Sequence, residues 1–158
     1  MERKNLISTG TVAQNRKARF NYTIIETIEA GIVLQGSEVK SLRAGHASIG
    51  EAFAVEQDGE LFLNNMLISS YDAAAHFKHL EGRARKLLLS KKQIQRLFGL
   101  IAQKGYTVVP LEIYFNKRGI AKVNLGLAIG KNTVDKRRTQ KEREWNREKQ
   151  RIMNYKNR

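Results

Sequence analysis

Cysteine is absent from this chain and proline occurs once, at Pro110. Without cysteine there is no disulfide, no thiolate nucleophile and no Cys-based zinc site, which fits a reducing, intracellular setting. No apolar run approaches the roughly 18 residues of a membrane span. Met1 to Val12 lacks the apolar stretch of a secretory signal, so a soluble, cytoplasmic protein is expected. Histidine is scarce as well. Of the three, His76 and His79 lie near Glu81, but a surface pair is a better reading than a metal site. No Walker or Rossmann glycine pattern and no local nucleophile motif occurs, so neither a nucleotide cofactor nor catalysis is implied. Acidic residues are few: 15 Asp and Glu stand against 29 Lys and Arg, for a net charge of +14.

What is present is basic charge, and half of the net excess lies in the last 28 residues, with eleven Lys or Arg and four Asp or Glu. That tail has too few apolar residues to offset the entropy of ordering it alone. Arg143, Arg147 and Arg151 lie four apart, so a helix would stack like charges at a cost of about 0.2–0.5 kcal/mol per pair. A row of phosphates reverses that sign. A membrane surface would need a broad apolar face, and only Trp145, Ile152, Met153 and Tyr155 are available. A merely solubilising tail would not need those four. Nucleic acid is the favoured partner.

Elsewhere the pattern is mainly β. Phe20 to Ile28 and Ile32 to Gln35 read as strands around a Glu29-Ala30-Gly31 turn, and Ser37 as the cap of a short helix ending at Gly45. Ala52 to Glu56 and Glu60 to Asn64 flank an Asp58-Gly59 turn. Ile68 to Gly82 has no clear period. Ser90 and Gln93 form a capping box for a helix with Ile94, Leu97, Phe98 and Ile101 on one face, closed by Gly105. Thr107 to Phe115 and Ala121 to Ile129 alternate as two long strands, and Pro110 requires an edge or a bulge. The expected fold is α+β, mainly β: a small barrel like the oligonucleotide-binding (OB) fold, with one long and one or two short helices. The expected organisation is a flexible arm over 1–14, an RNA-binding barrel over 15–130, and a tail over 131–158, disordered when free.

Candidate contacts follow from basic segments mixed with stacking groups. Asn15, Arg16, Lys17 and Arg19 precede Phe20 and Tyr22, suiting phosphate contact and base stacking. Arg83, Arg85 and Lys86 lead into Leu87, Leu88 and Leu89, which read as a strand buried on both faces, with packing on a base as the other option. Lys117, Arg118 and Lys122 read as a soluble hairpin tip.

GIVLQGSEVKSLRAG (31–45), RARKLLLS (83–90), GYTVVPLEIYFNKRGIAKVNLGLAIGK (105–131), DKR (135–137) and KEREWNREKQRIM (141–153) occur in order. From about Asn15 onward the chain resembles the small protein B family, the SsrA-binding proteins of bacteria. The resemblance implies an OB barrel that holds the tRNA-like domain of transfer-messenger RNA and delivers it to stalled ribosomes. It also implies an indirect link to elongation factor Tu through the charged RNA, a monomeric state, and no cofactor. On this resemblance Glu29 and Leu88 fall at positions that contact the tRNA-like domain, and Lys122, of the same sign as the other basic segments, is counted with the RNA contacts. The tail is expected to become helical from about Lys136 to Met153 in the vacant message channel. Asp135, Lys136 and Arg137 would lie near the decoding centre, with Lys141, Arg143, Trp145, Arg147, Lys149, Arg151, Ile152 and Met153 engaging the ribosome beyond it. Ser90, Val134 and Gln140 depart from the family's usual Asn, aromatic or His, and Ile. Valine has no π-face, so no stacking role is assigned to Val134. Two other functions compete: a general single-strand binding module with a basic tail, and an RNA-modifying enzyme, which would need a catalytic set the sequence does not display.

Overall fold

The computed structural model describes residues 6–70, 79–130 and 133–157, with side chains of the last segment described from 137 onward. Among the described residues, nine strands and four helices follow in the order β1 (Gly10–Gln14), α1 (Ala18–Asn21), β2 (Tyr22–Ile32), α2 (Gly36–Arg43), β3 (Ala47–Ser48), β4 (Phe53–Gln57), β5 (Glu60–Asn64), β6 (Leu67–Ile68), β7 (Arg85–Leu88), α3 (Lys91–Lys104), β8 (Thr107–Phe115), β9 (Ala121–Gly130) and α4 (Thr133–Lys156). Among the described residues, seven strands form one antiparallel sheet in the order β1-β8-β9-β2-β7-β5-β4, and β3 pairs with β6. β4 packs near β8 without a hydrogen-bonded ladder, so the sheet curls into an OB-like barrel that stays open.

Alternation along the strands builds the core. Ile28, Ala30 and Ile32 of β2 meet Val123 and Leu125 of β9, Ile113 and Phe115 of β8, Leu87 of β7, and Leu61 and Leu63 of β5. α3 seals this core with buried Leu97 and the flanking Phe98 and Ile101. Its start and stop follow the local signals: Ser90 and Gln93 make a reciprocal capping box, and Gly105 closes the helix in the left-handed region at φ 64°. The β4–β5 turn also follows its sequence, since Asp58 and Gly59 both take positive φ, 53° and 78°, as a tight two-residue turn requires.

Four local expectations need correction. Glu29-Ala30-Gly31 is not a turn; β2 runs through it, with Glu29 opposite Asn124 and Gly31 opposite both Leu88 and Lys122. Gly31 is there for space, because a Cβ on it would lie 3.1 Å from the Leu88 Cβ. Phe20 belongs to α1 rather than to a strand: the Asn15 side-chain oxygen accepts from the Ala18 amide at 3.2 Å and starts that short turn of helix. The cap of α2 is Gln35, in a capping box with Glu38, while the Ser37 hydroxyl bonds His79 Nδ1 at 2.9 Å. Gly10–Gln14, expected as part of a flexible arm, pairs with β8 as an edge strand.

Candidate nucleic-acid interface

One face of the sheet is packed on the core; the other is open to solvent except at the end where α1 covers Val109 and Ala128. Cross-strand register assembles this outer face from residues far apart in sequence. Leu88, Gly31, Lys122, Tyr114 and Thr11 form one row across β7, β2, β9, β8 and β1. Glu29, Asn124, Glu112 and Gln14 form the next row. Five strands at the usual spacing make the first row about 19 Å wide. Leu88 is 50% exposed here, which corrects the reading of all three leucines as core; Leu87 is the buried one.

Two carboxylates stand in this polar face, and each is held by a neighbouring hydroxyl. The Tyr114 phenol donates to Glu29 Oε2, and the Thr11 hydroxyl donates to Glu112 Oε1. Burial, followed by the Glu29 bond and the charges of Glu29 and Glu112, pushes the Tyr114 phenol up to about 12, so it remains a donor through the physiological range. Lys86 joins the edge of the face and is paired with Glu60 at 2.7 Å.

Three strands bulge at one end of this face: β1 between Thr11 and Ala13, β2 between Ile24 and Glu26, and β8 between Pro110 and Glu112. β8 is an interior strand, so the bulge rather than an edge accommodates Pro110. Asn15 holds that bulge. Its side-chain amide donates to the Pro110 carbonyl at 2.9 Å, and its backbone amide donates to the Leu111 carbonyl at 2.8 Å. Beside it lies a groove of about 570 Å³ lined by Gln14, Arg16, Arg19, Leu111, Glu112 and Asn124, into which Arg143 of α4 reaches. The Arg143 guanidinium sits 5.7 Å from the centre of the Phe20 ring.

The structure sorts the remaining candidates. Arg16 and Arg19 are exposed at the groove; Lys17 is exposed and meets Glu51 at 3.3 Å. Tyr22 packs against the Ala18, Val109 and Ala128 cluster under α1. Asn15 is buried and serves the bulge, not a surface contact. Arg85 is corrected outright, with 0% of its surface exposed. Its Nε donates to Glu38 at 2.5 Å, and its terminal nitrogens serve the carbonyls of Met66, Arg83 and Glu81 at 2.7, 3.0 and 3.1 Å. Arg83 donates to the other oxygen of Glu38 at 2.5 Å. Burial alone would raise the Glu38 carboxyl, but the bonds from Arg83, the Gln35 backbone and Arg85 together hold it below the usual carboxylate range. Both arginines thus serve the fold. The His79 ring donates from Nε2 to the Ile68 carbonyl at 2.8 Å, so both ring nitrogens are used; His76 lies outside the described residues.

Along α4 the side chains of Arg137, Lys141, Arg143, Trp145, Arg147, Lys149, Arg151, Ile152 and Met153 are all exposed; Trp145 shows 60% of its surface. Asp135 and Lys136 lie on the same helix, with side chains outside the described set. Sequence reasoning missed Thr11, Gln14, Glu112, Tyr114 and Asn124. Strand alternation marks the last three as outward-facing, but only register brings them beside Glu29.

An open OB-like sheet with a polar outer face, a cationic groove and an unburied basic helix defines a class of small nucleic-acid-binding proteins. The chain belongs to the SmpB protein family, whose model matches residues 12–155. It is 55% identical over 151 residues to the SsrA-binding protein of Acidiphilium cryptum, covering 96% of this chain and 95% of that one. It is 52% identical over 150 residues to the SsrA-binding protein of Brucella canis, covering 95% of each. A chain in the solved structure described as "tmRNA-SmpB: a journey to the center of the bacterial ribosome" is 51% identical, covers 80% of this chain and 86% of its own length, and superposes with a TM-score of 0.65.

Proposed function

We propose that this chain is the RNA-binding adaptor of ribosome rescue: it binds the tRNA-like domain of transfer-messenger RNA and delivers it to stalled ribosomes, its tail occupying the vacant message channel. The observation that carries this reading is the outer face, where Leu88, Gly31 and Lys122 stand in one row and Glu29 in the next, in a chain of this family. An exposed leucine, a lysine and an immobilised carboxylate offer packing, phosphate contact and hydrogen-bond acceptance, the three contacts that a folded, partly unstacked RNA demands. The barrel, residues 15–130, holds the RNA, and residues 131–158 engage the ribosome.

The tail is the helix Thr133–Lys156 here, but its described side chains are almost all exposed and Arg143, Arg147 and Arg151 repel one another. Little beyond the Arg143–Phe20 contact therefore holds that helix in the free chain, and rRNA phosphates lining its stripe are what make it persist. Asp135 to Arg137 then lie near the decoding centre, with Trp145, Ile152 and Met153 deeper in the channel. The adaptor acts without catalysis, as a cytoplasmic monomer, and meets elongation factor Tu through the aminoacylated RNA.

A chain ending at Gly130 tests the division of labour, because every strand and α3 precede that point. It should bind a tRNA-like-domain transcript as the full chain does while tagging of stalled products is lost. Loss of RNA binding by the truncated chain would refute the division. Equal affinity for the transcript and for a random single strand at raised salt would favour a general RNA-binding module instead.

A further inference from the structure

The groove beside the β8 bulge has a carboxylate where a simple phosphate cradle would have none. Because one residue of β8 is unpaired there, Leu111 and Glu112 lie on the same side of the strand, and both line the groove. Leu111 lies flat over Gly126, where a Cβ would come within 3.1 Å of its Cδ2; the glycine opens the space that the leucine fills. Asn15 fixes the bulge through the carbonyls of Pro110 and Leu111, and Thr11 fixes Glu112 through Oε1. The result is an apolar floor, an oriented acceptor at its edge, the Asn124 amide opposite Glu112, and Arg16, Arg19 and Arg143 of α4 around the rim.

We infer that this groove is a subsite for one unpaired guanine, resting on Leu111 with its Watson–Crick edge on the Glu112 carboxylate. This rests on the reading of the chain as an RNA-binding adaptor, and names the base that its groove selects. A carboxylate only accepts hydrogen bonds, and it has lone pairs enough to serve Thr11 and a base together. Guanine alone offers two adjacent N–H donors, N1–H and the 2-amino group, on that edge. Adenine and cytosine each set an acceptor beside their amino group, and uracil sets carbonyls beside its single N–H. The carboxylate repels those acceptors. The arginines take the flanking phosphates, which supply affinity without sequence information.

The test uses the full chain and three RNA probes, uridine hexamers carrying one guanosine, one inosine or one adenosine, with a tRNA-like-domain transcript measured alongside. The guanosine hexamer should bind about five- to a hundredfold tighter than the adenosine hexamer, the range for one bidentate base contact, with inosine between them because it lacks the 2-amino group. Glu112→Gln presents an N–H where an acceptor is needed. It should abolish the guanosine preference, with guanosine binding falling and adenosine binding rising to meet it as the repulsion of adenine's ring nitrogen is removed, and leave the melting temperature unchanged. Thr11→Val should reduce the guanosine preference in part, while Glu60→Gln, away from the groove, should not. If the transcript binds but the hexamers show no order of preference, or the preference survives in Glu112→Gln, the guanine subsite is overturned and RNA binding stands. If neither the transcript nor any hexamer binds, both readings fall.

Discussion

Replacing Arg85 with methionine separates a structural arginine from an RNA-contacting one. The methionine keeps most of the side-chain volume, so the loss is chiefly electrostatic. It removes one of the two guanidinium partners of buried Glu38 and leaves the carbonyls of Met66, Arg83 and Glu81 without their donor. Breaking a buried ion pair in this way costs about 3–5 kcal/mol. For a chain of this length each kcal/mol moves the melting midpoint by roughly 2–4 °C, so Arg85→Met should lower it by roughly 6–20 °C. Arg83→Gln removes one bond to Glu38 from a less buried position and should cost about 1.5–3 kcal/mol. Thermal unfolding followed by circular dichroism gives these midpoints, and RNA titrations over a range of salt give the phosphate contacts. Below its own melting point, Arg85→Met should keep the parental slope of log affinity against log salt. Lys122→Ala should do the reverse, with an unchanged midpoint and a slope shallower by about 0.7–0.9. A midpoint for Arg85→Met within about 2 °C of the parent, or a slope that falls as for Lys122→Ala, would show that the guanidinium reaches RNA.

Acid should act through the same cluster: because the folded Glu38 carboxyl is held below its unfolded value, its stabilisation is full above the unfolded value and fades as pH falls through the folded one. Glu38→Gln should flatten the dependence of the melting midpoint on pH across that acidic window. Glu29→Ala should weaken binding of the tRNA-like transcript by about 1–3 kcal/mol despite making the face more positive, and unchanged or tighter binding would remove Glu29 from the site. In the tail, changing Arg143, Arg147 and Arg151 to Gln should flatten the salt dependence of ribosome binding, whereas Trp145→Ala should weaken it by about 1–3 kcal/mol with the slope kept.

Local signals were legible where the interactions that enforce them are local. The Ser90–Gln93 box, Gly105 and Asp58-Gly59 fix their elements within a few residues, and β8 and β9 announce themselves by alternation. Gly31 misled because a glycine after Glu-Ala looks like a turn, whereas its cause is a leucine on another strand. Arg85 misled for the same reason: Arg83, Arg85 and Lys86 read as one basic cluster, but Glu38, 47 residues before Arg85, absorbs two of the three charges. The site was half legible. Glu29 and Leu88 came from a family resemblance and Lys122 from its charge in a basic hairpin, while Thr11, Glu112, Tyr114 and Asn124 depend on register across four strands. Bulges in three of those strands shift that register, and no periodic pattern in the sequence records them.

The central claim is that the outer face of the sheet, not the basic tail, carries the tRNA-like RNA. Backbone amide resonances of the full chain, followed while a tRNA-like-domain transcript is added, test it directly. Saturating shifts should appear at Gly31, Leu88, Lys122, Asn124 and Gln14, with α3 and the β4–β5 turn unmoved. Shifts confined to α4, with the outer face unchanged at saturation, would contradict the account.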